Sequence, residues 1–297
     1  VASHFSEETI TSRENKWLKI FRAALRGTGP AEGEAIGVEG PKLVEDALRA
    51  GLRAEALLVS EAGEASDLER ILRAASKSDA GIARSRVMRT TDKLFASVAG
   101  TETPQGVAAL FSQPAWEFHD VMRGPAAADG ALRGDAALVV VMAALQDPGN
   151  VGTIVRSAEA FGATGVVTTR GSADPWSPKA LRASAGSGLR LPVLRGMAIP
   201  VLLAQLRMAG VKIVAASSHA PAARGTAADA VADLRSPVAI FVGNEGAGLA
   251  REIESVADAR ISIPMRDGVE SLNAGVAASV VLYEAAQQRK GLAAEVI

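Results

Sequence analysis

Polar residues able to hold an anion or manage a proton collect in three glycine-marked stretches of this 297-residue chain. The first, LQDPGNVGTIVRSAEAFGA from Leu145, carries Asn150 and Arg156. The second, VAIFVGNEGAGL from Val238, carries Asn244 and Glu245, and the third, ISIPMRDGVESLNAGVAASVVLYE from Ile261, carries Ser271 and Asn273. Arg156 could face a ligand near the start of its helix alongside Asn150, and the glycines of the second stretch let backbone approach a ligand closely. Every one of these residues also has a plain structural use. Asn150 can cap the helix expected over 151–161, Arg156 can be a solvated helix residue, and Glu245 a charged turn. Ser271 can cap the closing helix, with Asn273 in its first turn. The glycine spacing at 243–248 is GxxGxG, unlike the GxGxxG of dinucleotide folds, and no GxxxxGK[ST] occurs.

The elements that position these residues follow from where the apolar runs stop. Val238–Val242 and residues 261–263 have strand length and end at Gly243 and Pro264, which do not continue a ladder. Loops beyond the carboxyl ends of buried strands are where open α/β sheets collect ligands. From residue 136 onward, apolar β-rich runs alternate with helical patterns (AALVVVMAAL, TGVVTT, LRLPVL, VKIVAA, VAIFV and RISIP as strands), which predicts a parallel sheet covered on both faces. The closing helix is expected over 272–288.

The first part of the chain reads as a smaller α/β domain. Its opening helix is expected over 11–25, with a capping box of Thr11 and Glu14 and with Trp17, Ile20, Phe21 and Ala24 on one face. Arg13 and Lys16 fall on the basic side, which suits either a phosphate backbone or water. A strand in AIGVEG, a helix over 41–50, the strand AEALLVS, a helix over 65–76, a strand in GIARSRVM and a last strand GVAALF complete it. Residues 114–134 mix Pro and Gly without a period and read as a linker, giving domains at 1–113 and 135–297.

Composition narrows the chemistry. Aromatic residues are only 4%, too few for rows of base-stacking rings, and the absence of cysteine removes disulfides, thiolate metal sites and cysteine nucleophiles. Three scattered histidines and no HExxH leave no expected metal. No apolar run has membrane-spanning length and VASHFSEE has no signal pattern, so a cytoplasmic protein is expected. The formal charge of −1 hides an acid-free segment, 175–228, with Lys179, Arg182, Arg190, Arg195, Arg207, Lys212 and Arg224. Such an excess suits phosphate contacts or a solvated face equally well.

Taken together, the three stretches, in this order and spacing, resemble the signature motifs of the SpoU, or TrmH-like, RNA ribose 2′-O-methyltransferases of the SPOUT class. DPWSPKALRASAGSGLRLPV resembles the family segment between the first two motifs, and TSRENKWLK, GPKLVEDAL and TPQGVAALF resemble its amino-terminal domain. The resemblance implies a parallel-sheet methyltransferase domain with a trefoil knot, preceded by an L30e-like RNA-binding domain. It implies S-adenosylmethionine as cofactor, a homodimer formed through the knotted domain with both subunits contributing to each site, and no membrane or metal partner. Asn150, Arg156, Glu245, Ser271 and Asn273 match the family's catalytic positions. Ala216, Ser217, Val242, Gly243, Asn244, Gly248, Ile263, Met265 and Leu272 are implied to hold the cofactor. Arg13, Lys16, Lys179, Arg182 and Ser184 are implied to meet RNA, and the two-domain layout favours ribosomal over transfer RNA. A free guanidinium is a poor base, so Arg156 would either hold the developing alkoxide or pass on a proton transiently. The rival readings are a non-catalytic RNA binder on the same fold and a nucleotide-dependent oxidoreductase, the latter disfavoured by the glycine spacing.

Overall fold

The computed structural model describes residues 7–27, 35–77, 86–125, 136–216, 232–266, 268–269 and 271–294. Two compact units divide the chain: Val1–Ala115 with Trp176–Leu181, and Trp116–Pro175 with Arg182–Ile297. No helix among the described residues is long and apolar enough to cross a membrane.

The first unit runs β1 (Glu7–Ile10), α1 (Lys16–Arg26), β2 (Ile36–Glu39), α2 (Pro41–Arg49), β3 (Ala54–Ser60), α3 (Ala65–Lys77), β4 (Arg86–Thr90), α4 (Asp92–Ala96) and β5 (Val107–Phe111). Its strands make one mixed sheet in the order β1-β4-β3-β5-β2. The opening differs from expectation. Residues 7–10 pair in parallel with β4, and α1 starts only after Asn15, whose side chain accepts from Trp17 N at 2.8 Å. Asn15 is thus the cap that the Thr11–Glu14 pair was expected to supply. The buried face of α1 is Leu18, Phe21 and Leu25, while Ile20 remains exposed. Residues 81–85 of the strand expected in GIARSRVM lie outside the described residues.

The second unit contains α5 (Phe118–Arg123), β6 (Leu138–Met142), α6 (Pro148–Ala160), β7 (Gly165–Thr169), the end of α7 (Pro178–Ala183, counted with the first unit as far as Leu181), a 3₁₀ turn at Ser187–Leu189, β8 (Val193–Met197), α8 (Ile199–Met208), β9 (Lys212–Ala216), β10 (Val238–Val242), α9 (Arg251–Val256), β11 (Ala259–Ile261) and α10 (Ala274–Ala294). The sheet order is β11-β9-β10-β6-β7-β8, and every pairing is parallel. Every residue of β6, β7 and β10 is buried, as befits strands covered on both faces. On one face Val139, Val141, Ala215 and Phe241 pack with Val121, Leu202, Leu206 and Ile253 from α5, α8 and α9. Alternation along the strands leaves Val140, Ile240 and Val242 for the other face.

Part of the expected linker belongs to this core. Residues 118–123 are helical behind a capping box of Glu117 and Asp120, and Val121 is fully buried. A Cβ at Gly165 would stand 2.8 Å from Val121 Cα, so the glycine on β7 is what admits the helix. Residues 126–135 lie outside the described residues. At the other end, Arg289 on α10 donates to the carbonyls of Leu234 (2.8 Å), Ser236 (3.0 Å), Ala137 (3.0 Å) and Ala136. These acceptors precede β10 and β6, so one guanidinium ties the last helix to the entry of two central strands.

Candidate active site

Parallel strands put all their carboxyl ends on one edge, and the three stretches singled out in the sequence leave from β6, from its neighbour β10 and from β11, one strand beyond β9. After β6 the chain reverses at Ala144, whose φ of 53° is left-handed, a conformation that costs a non-glycine residue energy. Its carbonyl is held by Asn244 Nδ2 at 3.0 Å and its N–H by Thr169 Oγ1 at 3.0 Å. Pro148 then opens α6, and the carboxylate of Asp147 caps it by accepting from Gly149 N (3.2 Å) and Asn150 N (3.3 Å). Capping therefore falls to Asp147 instead of Asn150, and the Asn150 side chain is freed for other partners.

Those partners come from the other two stretches. Asn150, only 8% exposed, donates from Nδ2 to Glu245 Oε1 at 2.9 Å and accepts at Oδ1 from Asn273 Nδ2 at 2.9 Å. Asn273 Oδ1 in turn accepts from Gly275 N (2.9 Å) and Val276 N (3.2 Å). Asn273 is thus the cap of α10, the role expected of Ser271, which stands exposed ahead of it. The polarity of the chain is forced. Two backbone donors fix Asn273 Oδ1 as acceptor, its NH2 must then face Asn150 Oδ1, and Asn150 is left presenting an NH2 to a carboxylate that can only accept. One directed run of hydrogen bonds thus joins the first turns of α6 and α10 to the loop after β10.

That loop is closed on itself. Asn244 and Gly248 exchange backbone hydrogen bonds of 3.1 and 3.0 Å, and Asn244 Oδ1 accepts from Gly246 N (2.9 Å) and Ala247 N (3.1 Å). A Cβ at Gly243 would lie 2.4 Å from the carbonyl carbon of Gly248 and 2.6 Å from Leu249 N, so only glycine permits the turn. Gly248 itself has φ 68°. Glu245 is exposed at the rim of this ring.

The flanks of α6 are unequal. Towards α10, a Cβ at Gly275 would sit 3.1 Å from Thr153 Cγ2, and Ser157 Oγ meets Ser279 Oγ at 2.6 Å. Because Ser279 Oγ donates to Gly275 O at 2.6 Å, Ser157 is the donor in that pair. On the other flank Glu159 takes both Nε and Nη2 of Arg190 at 2.7 Å. Arg156 lies between the two flanks, exposed, with no hydrogen bond or ion pair among the described residues. It is six residues beyond Asn150, about 9 Å along the helix axis, so the structure does not gather it with Asn150, Glu245 and Asn273.

The expected cofactor positions lie at the carboxyl edge. Ala216 ends β9 opposite both Val242 and Ile261, Ile263 and Met265 are half-buried just past β11, and Leu272 is 38% exposed before α10. Ser217 lies outside the described residues. Apolar side chains left partly open beside a ring of backbone donors and acceptors fit an adenosyl group, which needs apolar faces and a few polar contacts. Of the expected RNA contacts, Arg13 and Lys16 are exposed on the first unit, where the Lys16 ammonium lies 5.9 Å from the Trp17 ring centre and the Arg86 guanidinium 5.6 Å. Lys179 and Arg182 are also exposed, but Ser184 is completely buried, so its hydroxyl is out of reach of RNA. The acid-free segment is less basic than it reads. Arg190 is matched by Glu159, and Arg195 by Asp174 at 3.2 Å.

Comparison with known proteins gives a consistent picture. Residues 137–283 match the model of the SpoU rRNA Methylase family, and residues 32–109 that of the MRM3-like substrate binding domain. The 23S rRNA (guanosine(2553)-2′-O)-methyltransferase RlmP of Bacillus subtilis is 32% identical over 275 residues, covering 92% of this chain and 97% of that protein. Among solved structures, an AdoMet-bound rRNA methyltransferase from Sinorhizobium meliloti superposes with a TM-score of 0.76 at 28% identity, covering 95% of this chain and 98% of the other. The SpoU methyltransferase AviRb from Streptomyces viridochromogenes, in complex with AdoMet, gives 0.74 at 26% identity, with 93% and 99% covered.

Proposed function

Because the chain belongs to the SpoU rRNA methylase family, we propose that it is an S-adenosylmethionine-dependent methyltransferase acting on the ribose 2′-hydroxyl of one nucleotide in structured RNA, with ribosomal RNA as the substrate class. The observation that carries this reading is the directed hydrogen-bond chain Asn273–Asn150–Glu245, which welds the three motif loops into one polar site at the sheet edge.

Bound S-adenosylmethionine supplies an electrophilic methyl group on a sulfonium. The loop around Gly243 and Gly248, with Ala216, Ile263, Met265 and Leu272, holds it. Asn150, kept in one orientation by Glu245 and Asn273, aligns the incoming ribose hydroxyl, and alignment lowers the barrier of an in-line transfer. Arg156 steadies the oxygen while its proton passes to solvent water. Arg156 does not reach its own chain's Asn150, which supports a homodimer in which one subunit's arginine completes the other's site. Val276, Val280 and Tyr283 form an exposed apolar stripe at helical spacing on α10, beside α6, and a second copy would cover it. We further propose that α10 enters by threading the loop after β10, making a trefoil knot. An experimentally traced chain that passes beside that loop would refute the threading. We also propose a cytoplasmic location, which cell fractionation checks.

The function is tested with the purified chain, labelled S-adenosylmethionine, and unmodified ribosomal or transfer RNA, followed by mapping of 2′-O-methyl positions. Transfer to ribosomal RNA is expected, with none in Arg156→Ala although that variant still binds the cofactor by calorimetry. Transfer to transfer RNA alone would move the substrate class. No binding of S-adenosylmethionine would sink the reading.

A further inference from the structure

On a helix, the side chains three and four positions away are those that meet a given residue. For Arg156 these are Gly152, Thr153, Glu159 and Ala160, so Glu159 is the one carboxylate that α6 can swing onto it. An Arg–Glu pair at this spacing is within reach on an exposed helix face. The structure shows another arrangement. Glu159 is taken in a two-pronged ion pair, both contacts 2.7 Å, by Arg190, which follows the 3₁₀ turn packed along that flank of α6. The two side chains are 33% and 30% exposed, and Arg190 Nη2 also reaches Ser187 Oγ at 3.4 Å. A guanidinium fork holding both carboxylate oxygens fixes their direction, which a single point contact does not.

We propose that Arg190 is a positioning residue: by holding Glu159 it keeps that carboxylate off Arg156, whose guanidinium stays uncompensated and available to the ribose oxygen. This rests on the reading of Arg156 as the group that meets the hydroxyl. If Arg190 loses its charge, Glu159 gains a free rotamer towards Arg156, and the positive potential offered to the developing alkoxide falls.

The test uses the full-length protein, S-adenosylmethionine and transcribed large-subunit ribosomal RNA, with single-turnover methyl transfer and calorimetric cofactor binding as readouts. Arg190→Gln is expected to slow transfer about tenfold, with cofactor Kd within about twofold of wild type. The double variant Arg190→Gln with Glu159→Gln should recover to within about threefold, because the competing charge is gone. A purely structural pair would also be relieved by removing the stranded Glu159 charge, but its rate loss would follow a loss of folded protein, whereas here transfer slows in samples that urea unfolding shows to be fully folded. The proposal is overturned if Arg190→Gln transfers at the wild-type rate, or if the double variant is as slow as the single. Should Arg190→Gln not fold, Arg190→Lys serves in its place, and failure of Glu159→Gln to rescue it overturns the proposal equally. Arg156→Ala runs alongside: turnover in that variant would remove the underlying reading of Arg156, whereas its loss together with a normal Arg190→Gln would remove only the role of Arg190.

Discussion

Replacing Asn150 by Asp changes one NH2 to an oxygen and leaves the shape of the side chain intact. Asn273 Nδ2 keeps its acceptor, but the 2.9 Å bond to Glu245 becomes a contact between two carboxylate oxygens. At about 3 Å, two unit charges repel by about 1.4 kcal/mol at the dielectric constant of water and about 5.5 kcal/mol at an effective value of 20. Glu245 is exposed, so it can turn into water, and the cost is then capped at that of the lost charge-assisted bond, about 1.5–3 kcal/mol. A net destabilisation of about 1–3 kcal/mol at pH 7.5 follows. The sign of its pH dependence is fixed. Repulsion raises the folded-state pKa of the pair above the unfolded values of about 3.9 and 4.3. Below those values both states are protonated and the penalty is absent; it grows as pH rises through the raised folded pKa and is constant above it. Urea unfolding of wild type and variant at pH 7.5 and 4.5 measures this. Equal penalties for Asn150→Asp at the two pH values would mean that Glu245 does not face residue 150, and the hydrogen-bond chain would have to be abandoned.

Two further outcomes follow from the same geometry. Gly243→Ala places a Cβ 2.4 Å from the Gly248 carbonyl carbon, so the loop must open. Its affinity for S-adenosylmethionine should fall at least about tenfold by calorimetry, and a change within twofold would separate this turn from cofactor binding. Val280→Glu puts a charge at the centre of the α10 stripe, and light scattering should show a monomer that no longer transfers methyl groups. A wild-type chain that already runs as a monomer would refute the dimer.

Much of this was written in the sequence, because the physics that sets it is local. Strands buried on both faces must be apolar throughout, and a parallel ladder must stop where glycine or proline intervenes. VVVM, GVVTT and VAIFV therefore announced the sheet, and the glycines of GNEGAG the tight turn at its carboxyl edge. Capping was legible too, but it takes stricter reading. Proline tolerates only the first turn of a helix, so DPGN already places Asp147 as the cap and Asn150 inside the helix. The same logic fails at SLN, where Ser271 and Asn273 are both competent caps and the choice is made by a partner, Asn150, that lies 123 residues away in the chain. Ionic matching was not legible at all. The acid-free segment looked uniformly available to phosphate, yet Arg190 and Arg195 meet carboxylates supplied from outside it.

Arg156 shows why the last step needed three dimensions. Helical spacing fixes that it points away from the residues α6 buries, but not what stands beside it. The structure supplies both neighbours: a seam of small and hydroxyl side chains, Thr153, Ser157, Gly275 and Ser279, on the α10 side, and the Glu159–Arg190 pair on the other. The seam carries no charge and the pair is internally neutral, so neither flank can quench the guanidinium between them. An arginine poised in this way costs the folded protein little while it is exposed to water, because solvent screens it. On the proposed function it becomes strongly interacting only once bound RNA displaces that water. On that proposal the charge is kept in reserve until the substrate arrives, which is the condition for stabilising an alkoxide in the transition state more than the hydroxyl in the ground state.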